Sequence, residues 1–242
     1  GETFLWGFVA LNRGEFDAAA EYLSEALEEN ADAPGLIPLE LATCYLNMGR
    51  NDAAREILEP FLAEHPEVER AYPLVCESLW GLGEYDRAAQ LLEACPEALA
   101  DSMTITILKG ETLVKAGKLD EAEAYYQSYI DENGRNEFVV RALAEIHKTR
   151  GEAEKAMPLY AELVSACTGC GRRADPELRR SYADAAFDAG HLAVPILELY
   201  LGLAREDPAN RAEYFGKVSR IYASMGNEAE SQRFAAFARD AS

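Results

Sequence analysis

Small and bulky apolar residues recur along this chain at fixed distances from seven glycines: Gly14, Gly49, Gly83, Gly117, Gly151, Gly190 and Gly226. Seven residues before each glycine stands a small residue: Gly7, Ala42, Cys76, Gly110, Ala144, Ala183 or Ser219. Five residues after it stand Ala19, Ala54, Ala88, Ala122 and Ala156, then Pro195 and Ser231. Nine after it come Leu23, Leu58, Leu92, Tyr126, Tyr160, Leu199 and Ala235. The pattern predicts a helix bearing the small residue, a turn at the glycine, and a second helix that approaches the first closely over alanine. A helix that ends in glycine leaves through the left-handed conformation. The Asp three residues on (Asp17, Asp52, Asp86, Asp120) is expected to cap the next helix. Pro38 and Pro73 fall in first turns, where a missing N–H is tolerated, whereas Pro60 lies deep in a second helix and is expected to kink it.

The glycine intervals are 35, 34, 34, 34, 39 and 36 residues. This helix–turn–helix period, with small residue, Gly and Ala in register, resembles the tetratricopeptide repeat (TPR) family. Ala42, Tyr45, Gly49, Ala54 and Pro66 carry the likeness most closely. Lys109, Tyr129, Pro195 and the late Pro208 depart from it locally. The resemblance implies an all-α solenoid of about seven repeats, wound as a right-handed superhelix whose first helices line a concave groove. The repeats run approximately 1–33, 34–67, 68–101, 102–135, 136–174, 175–210 and 211–242, as one domain over 1–242. The physics agrees without the family name: one helix pair cannot bury its apolar stripe alone, so neighbours must stack.

Composition narrows function. Alanine, the best helix former, supplies 41 residues, counted over the full chain. The net charge of −20 disfavours nucleic acid and anionic lipid and favours a basic partner. No apolar run is long enough for a membrane span. The chain opens Gly1-Glu2-Thr3 without an initiator Met, so a signal or anchor could precede it; the cytoplasm is favoured, with a periplasmic or membrane-anchored place open if an N-terminal segment was removed. Abundant Ala, and Arg over Lys, suggest a bacterial source.

No enzyme is expected. The three histidines are scattered, no metalloprotease, serine-hydrolase or P-loop motif occurs, and His147 takes the place of Tyr45 and Tyr222 as a packing residue. Cys44, Cys76 and Cys95 fall at small packing positions and are expected to be buried. Cys167 and Cys170 differ. They form Cys-Thr-Gly-Cys-Gly in the interval that is five residues too long, with Arg172 and Arg173 next. An exposed loop over Cys167–Arg173 is expected. Its thiols could be ordinary, form a reversible disulfide, or make half a zinc knuckle whose other half would come from a dimer or from further chain.

Six residues before the glycines stand Phe8, Thr43, Glu77, Glu111, Glu145, Asp184 and Arg220, so four consecutive repeats carry an acid. The family places this position in the groove. Arg141 and Arg180 lie one turn ahead of Glu145 and Asp184. The expected function is a protein-interaction scaffold with an acidic groove lined by Glu77, Glu111, Glu145 and Asp184. Phe4, Phe8, Leu39, Ile107 and Phe187 would serve as apolar anchors, for a basic or basic-amphipathic segment. The alternatives are a redox- or metal-responsive regulator at Cys167 and Cys170, and a self-assembling module, since neither end has an evident polar capping helix.

Overall fold

A computed structural model describes residues 1–30, 35–169 and 173–241, among which there are fifteen α-helices and no strand. The chain divides into two compact units, Gly1–Tyr125 and Tyr126–Ser242. The first holds α1 (Glu2–Asn12), α2 (Phe16–Glu29), α3 (Ile37–Asn47), α4 (Asn51–Glu64), α5 (Ala71–Gly81), α6 (Tyr85–Glu93), the single turn α7 (Glu97–Ala100) and α8 (Met103–Lys115). The division falls inside α9 (Leu119–Asn133). The second unit continues with α10 (Glu137–Thr149), α11 (Ala153–Gly169), α12 (Pro176–Asp188), α13 (Val194–Glu206), α14 (Arg211–Ser224) and α15 (Glu228–Asp240).

In the first unit each first helix packs on both helices of the pair before it: α3 on α1 and α2, α5 on α3 and α4, α8 on α5 and α6. In the second unit successive helices from α10 to α15 pack on one another in chain order.

All seven turn glycines sit in the left-handed region, with φ between 70° and 79°. Each turn closes on the same bond: the N–H after the glycine donates to the carbonyl four residues before it, as in Glu15 to Ala10, Glu84 to Leu79 and Asn227 to Tyr222. This is the Schellman closure, and it satisfies carbonyls that the helix end would otherwise strand. The expected Asp caps are corrected. α2, α4 and α6 begin two residues earlier than those acids require, and no side chain caps them; Asp17, Asp52 and Asp86 sit inside the first turn. There they stabilise the helix through its dipole instead of through a cap bond.

The small and bulky positions form the cores. Ala42, Cys76, Ala144 and Ala183 are fully buried before the turn, as are Ala19, Ala54, Ala88, Ala122 and Ala156 after it. Leu23, Leu58, Leu92, Tyr126 and Tyr160 are likewise fully buried. The fit is close: a Cβ on Gly7 would come within 2.7 Å of the Leu23 Cγ. Repeat six departs because α13 begins two residues later after its glycine than α2, α4 and α6 do after theirs. Pro195 thereby lands in a first turn and is exposed, while Ile196 and Tyr200 take the buried places one residue on. Pro60 is also exposed, and α4 runs through it without a break in the helix. Pro96 ends α6 after nine residues, because the residue before a proline is pushed out of helix. Cys95 therefore lies half-buried in the break, not in a helix core.

The expected exposed loop at Cys167 is corrected as well. α11 absorbs part of the insertion by extending to 17 residues, against 14 in α2 and α4. Cys167 lies in that helix, half-buried against the apolar core of Val140, Tyr160 and Leu163. Cys170 and Arg172 lie outside the described residues. Arg173, rather than sitting ready to favour a thiolate, pairs with Glu206 at 2.6 Å.

Candidate functional site

In the first unit the faces of α1, α3, α5 and α8 follow one another. Phe4 is half-buried against the core, with Phe8 exposed and stacked on it at 6.3 Å between ring centroids. Leu39, expected as an anchor, is 1% exposed and belongs to the core. Ile107 is half-buried. Trp80, which no spacing from the glycines singles out, donates from Nε1 to Thr112 Oγ1 at 3.1 Å and so ties α5 to α8. Lys115 lies 6.0 Å from the centre of its ring. Lys109, at a position expected to be apolar, reaches Glu93 at 3.6 Å.

The two acids of this unit differ from those of the other. Glu77 on α5 is exposed and, among the described residues, makes no ion pair or side-chain hydrogen bond. Glu111 on α8 keeps a face to solvent, yet the protein around its carboxyl disfavours the charge and raises its pKa above the usual range, an effect that Lys115 one turn on opposes.

In the second unit the corresponding acids are engaged by the protein itself. The Tyr160 hydroxyl, from the second helix of the same repeat, donates to Glu145 Oε1 at 2.6 Å, and Lys148 Nζ donates to Glu145 Oε2 at 3.3 Å. Tyr200 repeats the arrangement on Asp184 Oδ1 at 2.8 Å. Asp184 also receives Lys217 at 2.6 Å and Arg180 at 3.6 Å. Burial, and then the adjoining carboxylate, push both tyrosine hydroxyls far above their ordinary pKa, so they remain donors at any physiological pH. Arg180 reaches on to Glu213 at 2.9 Å and Arg141 to Glu137 at 3.5 Å. Phe187, expected as an anchor, is 8% exposed and packs edge-on against Tyr200. A cleft of about 190 Å³ lies between Lys148, Ser181, Asp184 and Lys217. His147 is buried and shares a 2.7 Å bond between Nδ1 and Glu152.

Among the described residues no group of three or more His, Cys, Asp or Glu side chains is placed to hold a metal ion. No helix among them is long and apolar enough to cross a membrane.

The architecture has a counterpart in known sequences. Tetratricopeptide repeat profiles match residues 10–75, 76–137 and 107–170. The chain belongs to the tetratricopeptide repeat family. The Vi polysaccharide export protein VexE of Salmonella typhi is 27% identical over 112 residues, which is 46% of this TPR chain and 17% of VexE. The chain thus spans less than a fifth of that relative. Among solved structures, a tetratricopeptide repeat protein from Parabacteroides merdae aligns over 99% of this chain and 91% of its own, with a TM-score of 0.62 and 16% identity. YrrB, described as a TPR protein with an unusual peptide-binding site, aligns over 78% of this chain and 93% of its own, with a TM-score of 0.59 and 19% identity. As a TPR protein the chain is a protein–protein interaction scaffold.

Proposed function

We propose that this TPR scaffold binds a basic or basic-amphipathic protein segment, and that the acids gripping it are those of the first unit. The carrying observation is the contrast between Glu77 and its counterparts. Glu77 is exposed with no ion pair or side-chain hydrogen bond among the described residues, whereas Glu145 and Asp184 each hold a tyrosine hydroxyl and a lysine. A carboxylate already holding two donors gives little to an incoming cation, because the ligand must displace what it replaces. Phe8, exposed beside Phe4, supplies an apolar contact on the same unit. A lysine- or arginine-bearing segment gains on-rate and selectivity from such a face more than raw affinity.

The test is fluorescence anisotropy with a labelled Lys/Arg-rich amphipathic peptide. Glu77→Lys with Glu111→Lys should weaken binding about tenfold or more and flatten its salt dependence, with helical circular dichroism unchanged. Asp184→Asn should alter it little. Equal binding by the double variant, or binding indifferent to salt, refutes the proposal.

A further inference from the structure

Trp80 stands three residues after Glu77 on α5, so the two share a helix face. Its indole is half-buried against the apolar core of the first unit. The edge of the ring is fixed as well. Its N–H donates to Thr112 Oγ1 at 3.1 Å, and that hydroxyl gives its own proton to the Leu108 carbonyl at 2.7 Å. Thr112 is buried, so both bonds are shielded from water. A ring held by the core and by its edge is a rigid surface, and a ligand that lands on it has little to order.

The protein already seats a cation there. Lys115 Nζ lies 6.0 Å from the ring centre, at the outer limit of attraction to the negative face of an indole. Lys115 is exposed, and among the described residues no hydrogen bond or ion pair holds it in place. Glu111 stands one turn ahead of it on α8, in the favourable order for an ion pair of that spacing. An ammonium leaving the ring therefore has a carboxylate to go to.

We propose, resting on the basic-ligand reading of this face, that Trp80 is the platform for an arginine side chain of the partner, and that Lys115 occupies the platform until the arginine displaces it. The preference for arginine follows from Lys115. A ligand lysine exchanges one ammonium for another and gains little on the ring. A guanidinium is planar and weakly hydrated, stacks flat on an indole, and offers two N–H groups at once to a carboxylate. Glu77, exposed and without an ion pair among the described residues, is the carboxylate on the same helix face. Lys115 thus makes the face selective: it raises the threshold for every cation, and arginine crosses it most readily.

The test uses two labelled amphipathic peptides of one sequence, with Arg at every basic position in the first and Lys in the second. Fluorescence anisotropy should show the wild type binding the Arg peptide about fivefold more tightly. Trp80→Leu should remove the preference while salt-dependent binding of the Lys peptide persists. Lys115→Gln should tighten both peptides, the Lys peptide more, so that the preference narrows. Trp80 also reports directly. The chain has two tryptophans, so in a Trp6→Phe background the emission is that of Trp80, and it should change as the Arg peptide saturates. Circular dichroism checks that Trp80→Leu folds; if it does not, Lys115→Gln and the Trp80 emission decide. Equal, salt-sensitive binding of the two peptides, or Trp80 emission unchanged at saturation, refutes the platform and leaves the acidic face standing. Binding of neither peptide refutes both.

Discussion

The bond between Tyr160 and Glu145 sets which acids are open to a ligand, and its strength can be measured. Tyr160 is fully buried, and its hydroxyl meets Glu145 at 2.6 Å, within the range of charge-assisted bonds. A hydrogen bond to a charged group contributes about 1.5–3 kcal/mol when both partners are shielded. The Glu145 side chain is 50% exposed, so water competes for it and the coupling should fall to about 1 kcal/mol. Tyr160→Phe removes the donor without opening a void and leaves Glu145 to Lys148 and solvent. Glu145→Ala removes the acceptor and leaves the buried hydroxyl to seek a new partner. Urea unfolding of the wild type, the two single variants and the double variant gives the coupling as a double-mutant cycle. The transition should be followed by amide exchange in α10 and α11, so that unfolding of the second unit is read by itself. A coupling of about 1 kcal/mol is expected. A value under about 0.3 kcal/mol would show that the tyrosine merely fills space, and the contrast between the units would lose its basis.

Other outcomes follow from the same geometry. Gly49 has φ of 70° and open space where a Cβ would go, so Gly49→Ala should cost about 1 kcal/mol by backbone strain alone, with Gly49→Asn recovering part of it; equal losses in urea melts would contradict this. Burial pushes the Cys44 and Cys76 thiols up to about 11 and about 12, so iodoacetamide at pH 8 should spare both in the folded chain and label Cys167 and Cys95 first, as peptide mass mapping would show. Hydrogen bonds from Arg179, and charge from Arg179 and Arg173, hold Glu206 below its usual pKa. A depressed carboxyl contributes stability above its unfolded pKa and loses it as pH falls through the folded value. Glu206→Gln should therefore lower stability near pH 7 and leave it nearly unchanged at pH 2–3. Glu111 is shifted the opposite way, so its charge works against folding as pH rises above the usual carboxylate range. Glu111→Gln should thus be neutral or stabilising at pH 7 in a thermal melt and without effect in acid.

Much of the fold was legible because the repeat restates its constraints seven times. The left-handed glycines and the buried alanines are local demands of a turn and of a close helix approach, and each occurrence corroborates the others. What the repeat does not constrain is not legible in it. An insertion can lengthen a helix as readily as bulge from it, and α11 extends through Cys167 for that reason. Leu39 and Phe187 occupy face positions by spacing, but large apolar side chains at the edge of a face fold into the core when room exists. The tyrosines that engage Glu145 and Asp184 were visible as bulky residues at the second-helix core position. Their hydroxyls carried a further signal: a buried phenol needs a partner, and the acid fifteen or sixteen residues upstream stands within reach.

The late start of α13 has a consequence for comparing this chain with others. Its first helix keeps step with the glycine, while its second helix runs one residue behind, with Ile196, Tyr200 and Leu203 where spacing from Gly190 points to Pro195, Leu199 and Gly202. An alignment anchored on the glycines would therefore equate exposed Pro195 with the residue that is buried five after the glycine in every other repeat. A consensus sequence averaged that way would carry a polar surface into the core around Tyr200, or apolar residues out to solvent. The proper origin for α13 is its buried tyrosine, and a repeat transplanted between these sites needs its turn changed by one residue before its core will match.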